Sequence, residues 1–239
     1  VPVHLPGPLS FYDHDPDAGE IGGVFEFIKA SSEVDITHYV TYFGSSSTAK
    51  LWPLVNISAT GLDPEFDIPM NTAVPRIDGV TATHLLTFSA NAEGEGPTGT
   101  SMALHDRAVP VQGPAGLEFE DEDYQHGKLG GRVTVHRASH EADVSAYALY
   151  FGSGPSSLLS AAAVSIPLPS GAGPVTCDLP NGTVIPTGAT HLLAYTWNAD
   201  GLVLVPAALQ LRDRALPDQP ATAVAFQDSD LGRGEISGL

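Results

Sequence analysis

Phe11-Tyr12-Asp13-His14-Asp15-Pro16-Asp17-Ala18-Gly19-Glu20-Ile21-Gly22-Gly23 governs the reading of this chain, because the same pattern is written three times. It returns as Phe119-Glu120-Asp121-Glu122-Asp123, closed by Gly127-Lys128-Leu129-Gly130-Gly131. It begins once more as Phe226-Gln227-Asp228-Ser229-Asp230, closed by Gly234-Glu235-Ile236-Ser237-Gly238. Successive copies start 108 and then 107 residues apart, and a fixed period sets the architecture before any residue is assigned to a strand.

The residues between the copies repeat as well. Eight of the fifteen positions from Ala30 to Gly44 are identical to those from Ala138 to Gly152. Thr83-His84-Leu85-Leu86 recurs as Thr190-His191-Leu192-Leu193, Asn91 as Asn198, and Asp106-Arg107-Ala108 as Asp213-Arg214-Ala215. The expected organisation is therefore a first repeat over 1–108, a second over 109–215, and the leading strand motif of a third over 216–239. Three leading motifs serve two bodies. The surplus motif belongs either to a longer array cut at this point or to a neighbouring subunit, and the start at Val1 without a methionine reads as a processed or excised segment.

Composition agrees with two β-rich domains. A chain of 239 residues exceeds the usual single domain, and 42% hydrophobic against 16% charged residues is enough to bury a real core. Gly 25 and Pro 20 suit many short strands better than long helices. The net charge of −18 would repel a phosphate backbone, which excludes nucleic acid as a partner. No apolar run approaches the roughly 20 residues that cross a bilayer as a helix. The lone Cys177 cannot close an intramolecular disulfide and leaves the redox compartment open.

Residue periodicity locates the strands. Phe25 and Phe27 alternate with Glu26, as Val133 and Val135 do with Thr134, the mark of a half-buried strand. Ile36 to Phe43 and Val144 to Phe151 are β-branched and aromatic, end at a glycine and read as central strands. Leu86, Phe88 and Ala90 match Leu193, Tyr195 and Trp197, and both runs stop at an Asn-Ala-acid-Gly hairpin turn. A further strand is expected over Thr98 to His105, and a single helical turn over Ser157 to Val164. Roughly seven short strands per hundred residues predict an all-β protein, each repeat an antiparallel sandwich.

Thr37-His38-Tyr39-Val40-Thr41-Tyr42 and its copy Ser145-Ala146-Tyr147-Ala148-Leu149-Tyr150 resemble the third strand of fibronectin type III and immunoglobulin-like modules. His84 to Asn91 resembles the sixth, although His84 and His191 stand where those modules usually carry tyrosine, and no tryptophan lies in the second strand. The Phe-x-Asp-x-Asp lead, the Gly-Gly pair and the strand ending in Tyr-Phe-Gly are similar to repeats of very large extracellular proteins of microbes and protists. That resemblance implies a scaffold, specifically a subunit of a glycan-coated extracellular fibril, and names no chemistry.

Asp13 and Asp15, recurring as Asp121 and Asp123 and as Asp228 and Asp230, are the candidate metal ligands. Closely spaced carboxylates suit a hard cation such as calcium, and Glu33 with Asp35 would complete a cage. Gln125 in place of Asp17 and Lys128 in place of Glu20 weaken the set in the second copy. The plain alternative is that these aspartates cap turns and accept backbone hydrogen bonds beside glycines. The histidines are scattered, and His84 and His191 are expected to bond neighbouring carbonyls rather than zinc. No Gly-x-Ser-x-Gly elbow and no single asymmetric carboxylate pair is present, so no catalytic residue is assigned and the chain does not read as an enzyme. Asn56-Ile57-Ser58 and Asn181-Gly182-Thr183 are glycosylation sequons in segments bordered by turn formers.

These features together point to assembly. The leading strand, Leu9 to Tyr12, is expected at a sandwich edge, where unpaired backbone groups invite another chain. The surplus motif, with Phe226, Asp228, Asp230 and Ile236, would pad or replace that edge in the next subunit, a head-to-tail contact that does not close and so grows a filament. The Pro-rich joints at Val109 to Pro114 and Leu216 to Pro220 would hold successive domains extended. The expected partner is the chain itself, outside the cell, with glycans attached. The competing reading is an adhesin-type module binding carbohydrate or a receptor, which would need an aromatic platform; Trp52 and Trp197 occupy non-equivalent positions.

Overall fold

The structure is a computed structural model that describes residues 1–159, 163–217 and 223–237. Among these residues the chain is all β, in several antiparallel sheets. The first repeat runs β1 (Leu9–Phe11), β2 (Glu20–Phe27), β3 (His38–Gly44), β4 (Lys50–Ser58), β5 (Glu65–Ala73), β6 (Arg76–Ile77), β7 (Val80–Thr81), β8 (His84–Asn91), β9 (Gly94–Glu95) and β10 (Thr100–Ala103). The second runs β11 (Gly116–Phe119), β12 (Lys128–His136), β13 (Ala146–Gly152), β14 (Val164–Pro167), β15 (Val175–Val184), β16 (His191–Asn198), β17 (Gly201–Leu202) and β18 (Ala207–Gln210). By compactness the residues fall into one unit of 1–114, 138–148 and 195–206, and another of 115–137, 149–194 and 207–239.

The first repeat is a sandwich. One sheet is ordered β1-β2-β5, and the other β10-β8-β3-β4 with β9 paired to β8. Ile21, Phe25 and Phe27 from β2 and Ile68 from β5 meet Tyr39 and Phe43 from β3 and Leu85 from β8 in a single core. The period-two pattern produces this directly: Tyr39, Thr41 and Phe43 are buried at alternate positions of β3. Fully burying a side chain such as Phe25 or Ile21 contributes about 1.5–3 kcal/mol. β8 is buried along both faces from Leu85 to Ala90, where the sequence suggests a single inward face. Its outer face is covered by Tyr42, whose ring meets Phe88 edge-on, and by the Lys50 ammonium 3.8 Å from the Phe88 ring centre.

The second repeat reproduces the order, with β11-β12-β15 in one sheet and β14-β13-β16-β17 in the other, β18 pairing β16. Val133 and Val135 take the core places of Phe25 and Phe27. The expected central strands are central, although each starts two residues later than periodicity suggests, at His38 and Ala146. The Thr98–His105 strand narrows to β10. The helical turn expected over Ser157 to Val164 is not found at the described positions: Leu158 bridges Gly152 and Val164 opens β14. The rest of that stretch, 160–162, lies outside the described residues, as do 218–220 of the second Pro-rich joint and Gly238 of the third motif.

β1 and β11 are edge strands paired on one side only, to β2 and β12. Both are short, and β1 also lies near β10 of the other sheet.

Candidate functional site

The three leading motifs fold into the same loop. In the first, Asp13 Oδ1 accepts the N–H groups of Asp15 and Gly22, both at 2.9 Å, and the His14 N–H donates to Gly22 O at 2.8 Å. In the second, Asp121 Oδ1 accepts from Asp123 and Gly130, both at 3.0 Å, and Glu122 N–H donates to Gly130 O at 2.8 Å. In the third, Asp228 Oδ1 accepts from Asp230 at 2.9 Å and Ser237 at 3.3 Å, while Ser229 N–H donates to Ser237 O at 2.7 Å. One carboxylate oxygen thus holds both ends of a tight excursion, a use of aspartate that needs neither neighbouring strand nor core.

The second oxygens separate the copies. Asp13 Oδ2 accepts the Arg107 N–H at 2.9 Å, and Asp121 Oδ2 the Arg214 N–H at 3.0 Å, so the Asp-Arg-Ala segment closing each repeat is tied to its own opening loop. Asp15 Oδ1 caps Asp17 N–H and its Oδ2 accepts Asn71 N–H at 2.6 Å; Asp123 does the same for Gln125 and Gly182. Asn71 and Gly182 are the residues of β5 and β15 with positive φ, 62° and 87°, which turns their N–H groups into the loop. Asp106 and Asp213 each accept one more loop N–H, from Gly19 and Gly127. The recurrence of Asp106-Arg107-Ala108 as Asp213-Arg214-Ala215, in step with the leading motif, is the signal in the sequence that links the two.

In the third loop, Asp228 Oδ2 and Asp230 Oδ2 carry no hydrogen bond among the described residues, and Asp230 Oδ1 caps Gly232. Its apolar side chains are equally unfilled. Ile21 is 0% exposed, whereas Ile236 in the same place is 78% exposed. Leu9 and Phe11 pack on the first core, but their counterparts Val224 and Phe226 are 90% and 55% exposed.

The candidate metal ligands accordingly act as backbone acceptors in all three copies. Among the described residues, Asp15, Asp17 and Glu20 bring one carboxylate oxygen each within 4.8 Å of one another and could hold a metal ion. Glu33 and Asp35 do not join them: Glu33 accepts the Tyr39 hydroxyl at 2.7 Å and the Gly61 N–H at 2.9 Å. In the second loop Lys128 Nζ donates to Gln125 Oε1 at 2.8 Å, so a built-in ammonium stands among the positions that are acidic in the first. Burial pushes the Asp106 carboxyl up; the Gly19 N–H opposes this, and the charges of Asp13 and Asp15 add to it.

Both repeats bury a tyrosine at the same place, Tyr39 on β3 and Tyr147 on β13. The Tyr39 hydroxyl accepts the Ala30 N–H and donates to Glu33, and Tyr147 repeats this with Ala138 and Glu141. Burial, then the Glu33 carboxylate, push the Tyr39 phenol well above its usual range. His84 and His191 share their Nδ1 hydrogen bonds with the hydroxyls of Thr83 and Thr190, not with carbonyls, because the preceding threonine is the nearer partner. Both sequons lie within strands: Asn56 is exposed on the edge strand β4, and Asn181 on β15 lies against Gly130. Trp52 is exposed on β4, while the Trp197 Nε1 is buried without a partner among the described residues. Burial and Asp178 raise the Cys177 thiol, which makes it a poor nucleophile at neutral pH.

A further set of contacts lies within the first compact unit. Asn198 Nδ2 donates to Ala108 O at 2.8 Å, the Ala108 N–H to Asp200 Oδ2 at 3.3 Å, and Arg107 Nε to Asp200 O at 3.2 Å. His105 Nε2 lies 2.7 Å from Asp200 Oδ1, and this hydrogen bond, more than any other influence, holds the Asp200 carboxyl below its ordinary range. No helix among the described residues is long and apolar enough to cross a membrane. No protein-family model matches the chain, and no curated protein matches it.

Proposed function

We propose that the chain is a structural subunit of an extracellular glycoprotein filament, assembled head to tail by β-strand addition between copies, with the fibronectin III-like repeats as its rod. One observation carries the reading. The third leading loop is closed by the same hydrogen bonds as the other two, while among the described residues its apolar side chains are exposed and its second carboxylate oxygens carry no hydrogen bond. Such a segment is a preformed ribbon with an unfilled apolar face, the kind that strand addition buries. Deleting residues 221–239 should leave both repeats folded, with unchanged far-ultraviolet dichroism, and abolish polymer in negative-stain images. Fibres from the truncated chain contradict the reading.

Two attachments go with it. Calcium at Asp15, Asp17 and Glu20 would stiffen the first loop, in keeping with oxygen-only ligands. A glycan on Asn56 would project from an exposed edge strand, protecting it from unwanted pairing, and Asn181 is the second candidate.

A further inference from the structure

We infer, resting on the strand-addition reading, that the acceptor is the first repeat of a second copy, and that residues 223–237 of the incoming tail take the path of that copy's own residues 8–22. The third loop is the better match to the first: Gly234-Glu235-Ile236 repeats Gly19-Glu20-Ile21, where the second loop reads Gly127-Lys128-Leu129. In the docked state Phe226 lies opposite Phe25, the pairing that Phe11 makes now, and Ile236 fills the place of Ile21. Asp228 Oδ2 accepts the Arg107 N–H and Asp230 Oδ2 the Asn71 N–H, as Asp13 and Asp15 do in the resident loop.

The residues before the tail point to the same surface. The segment His105 to Ala108 is held by the turn Asn198-Ala199-Asp200-Gly201 through the four contacts given above. Each half of that joint has a counterpart. Arg212-Asp213-Arg214-Ala215 repeats the segment, and Asn91-Ala92-Glu93-Gly94 repeats the turn. Asn91 Nδ2 donates to Asp35 O as Asn198 does to Asp143 O, but Asn91 lacks the second acceptor that Ala108 O gives Asn198. Glu93 is exposed, and so is Arg212, which stands where His105 faces Asp200. Arg212 of one copy beside Glu93 of the next restores the charge pairing of the joint.

The tail replaces the resident segment rather than adding outside it, because Ile236 can fill the place of Ile21 in the core only once Ile21 has left it. Ser237 also makes the tail the poorer occupant. It stands where Gly22 does, and a Cβ there would lie 2.7 Å from Met70 Cα, so β5 must shift to admit it. The resident loop therefore holds its place until it is displaced.

The test uses the intact chain carrying Phe226→p-benzoylphenylalanine, irradiated under polymerising conditions, with the joined peptides mapped by mass spectrometry. Intermolecular links to β2 and β5, around Gly23, Phe25 and Asn71, are expected. Links to β12 or β15 of another copy overturn the choice of acceptor while strand addition stands. Links confined to one molecule, or none between copies, overturn both. In the same assay Ser237→Gly should raise the intermolecular yield severalfold; an unchanged yield overturns the displacement of the resident loop.

Discussion

The loop at residues 13–22 and the loop at 228–237 share a fold and differ in everything around it. Both are closed by one aspartate oxygen and one backbone hydrogen bond. Only the first sends Ile21 into a core and engages the second oxygens of its aspartates with N–H groups far along the chain, those of Arg107 and of Asn71 on β5. The lesson is that the conformation of this motif is local, while its burial is supplied from elsewhere. A motif with that division can be folded in advance and still require a partner.

The largest break of this comparison is at the first aspartate. Asp13→Ala leaves the N–H groups of Asp15, Gly22 and Arg107 without an acceptor in a buried setting, and should cost about 4 kcal/mol, since each bond to a charged group is worth about 1.5–3 kcal/mol and the three are not additive. Asp228→Ala should leave stability within about 0.5 kcal/mol. Urea unfolding followed by circular dichroism reads both; equal losses at the two sites would erase the distinction drawn here.

Next in size is the apolar contribution. Ile21→Ala should cost about 2–5 kcal/mol through its cavity, whereas Ile236→Ala should leave the melting temperature unchanged and lower only the polymer yield. A smaller effect separates the bulges facing the loops. Gly182→Ala places a Cβ at φ 87° with nothing within 4 Å of it, so its cost of about 1–2 kcal/mol is backbone strain alone. Asn71→Ala should cost less, because asparagine already carries much of that strain.

The smallest effect contrasts the repeats through proton binding. Burial and the hydrogen bond to Glu95 push Tyr42 up to about 12, from an ordinary 10.0. The second repeat has Leu202 where Glu95 stands. With the folded phenol raised, the native state holds its proton longer than the unfolded chain does. Its contribution to stability is full below the ordinary value and is lost as pH rises through about 12. In Glu95→Leu the ultraviolet phenolate titration of this residue should move down toward its ordinary value; an unmoved curve would remove Glu95 as a cause.

Much of the fold is legible in the sequence because a chain compared with itself needs no outside relative. The repeated residues mark equivalent strands in the two copies, alternation at Phe25 and Phe27 marks a strand with one face in the core, and the β-branched and aromatic run ending at Phe43 marks a central one. The site is legible only in part. Short-range capping by Asp13 and Asp15 follows from aspartates beside glycines. The longer ties do not, because Arg107 and Asn71 lie far along the chain from the loop and donate through backbone N–H groups that leave no trace in residue type. Lys128 illustrates the opposite case. Its replacement of an acid looks like a lost ligand, and the structure turns it into an internal cation bonded to Gln125.

Hydrogen exchange of residues 223–237, followed by mass spectrometry across a concentration series of the intact chain, tests the central claim most directly. The account predicts that the amides of Asp230 and Ser237 gain protection as assembly proceeds and approach that of Asp15 and Gly22. A third loop that exchanges freely at every concentration, in material that has nevertheless formed fibres, would contradict it.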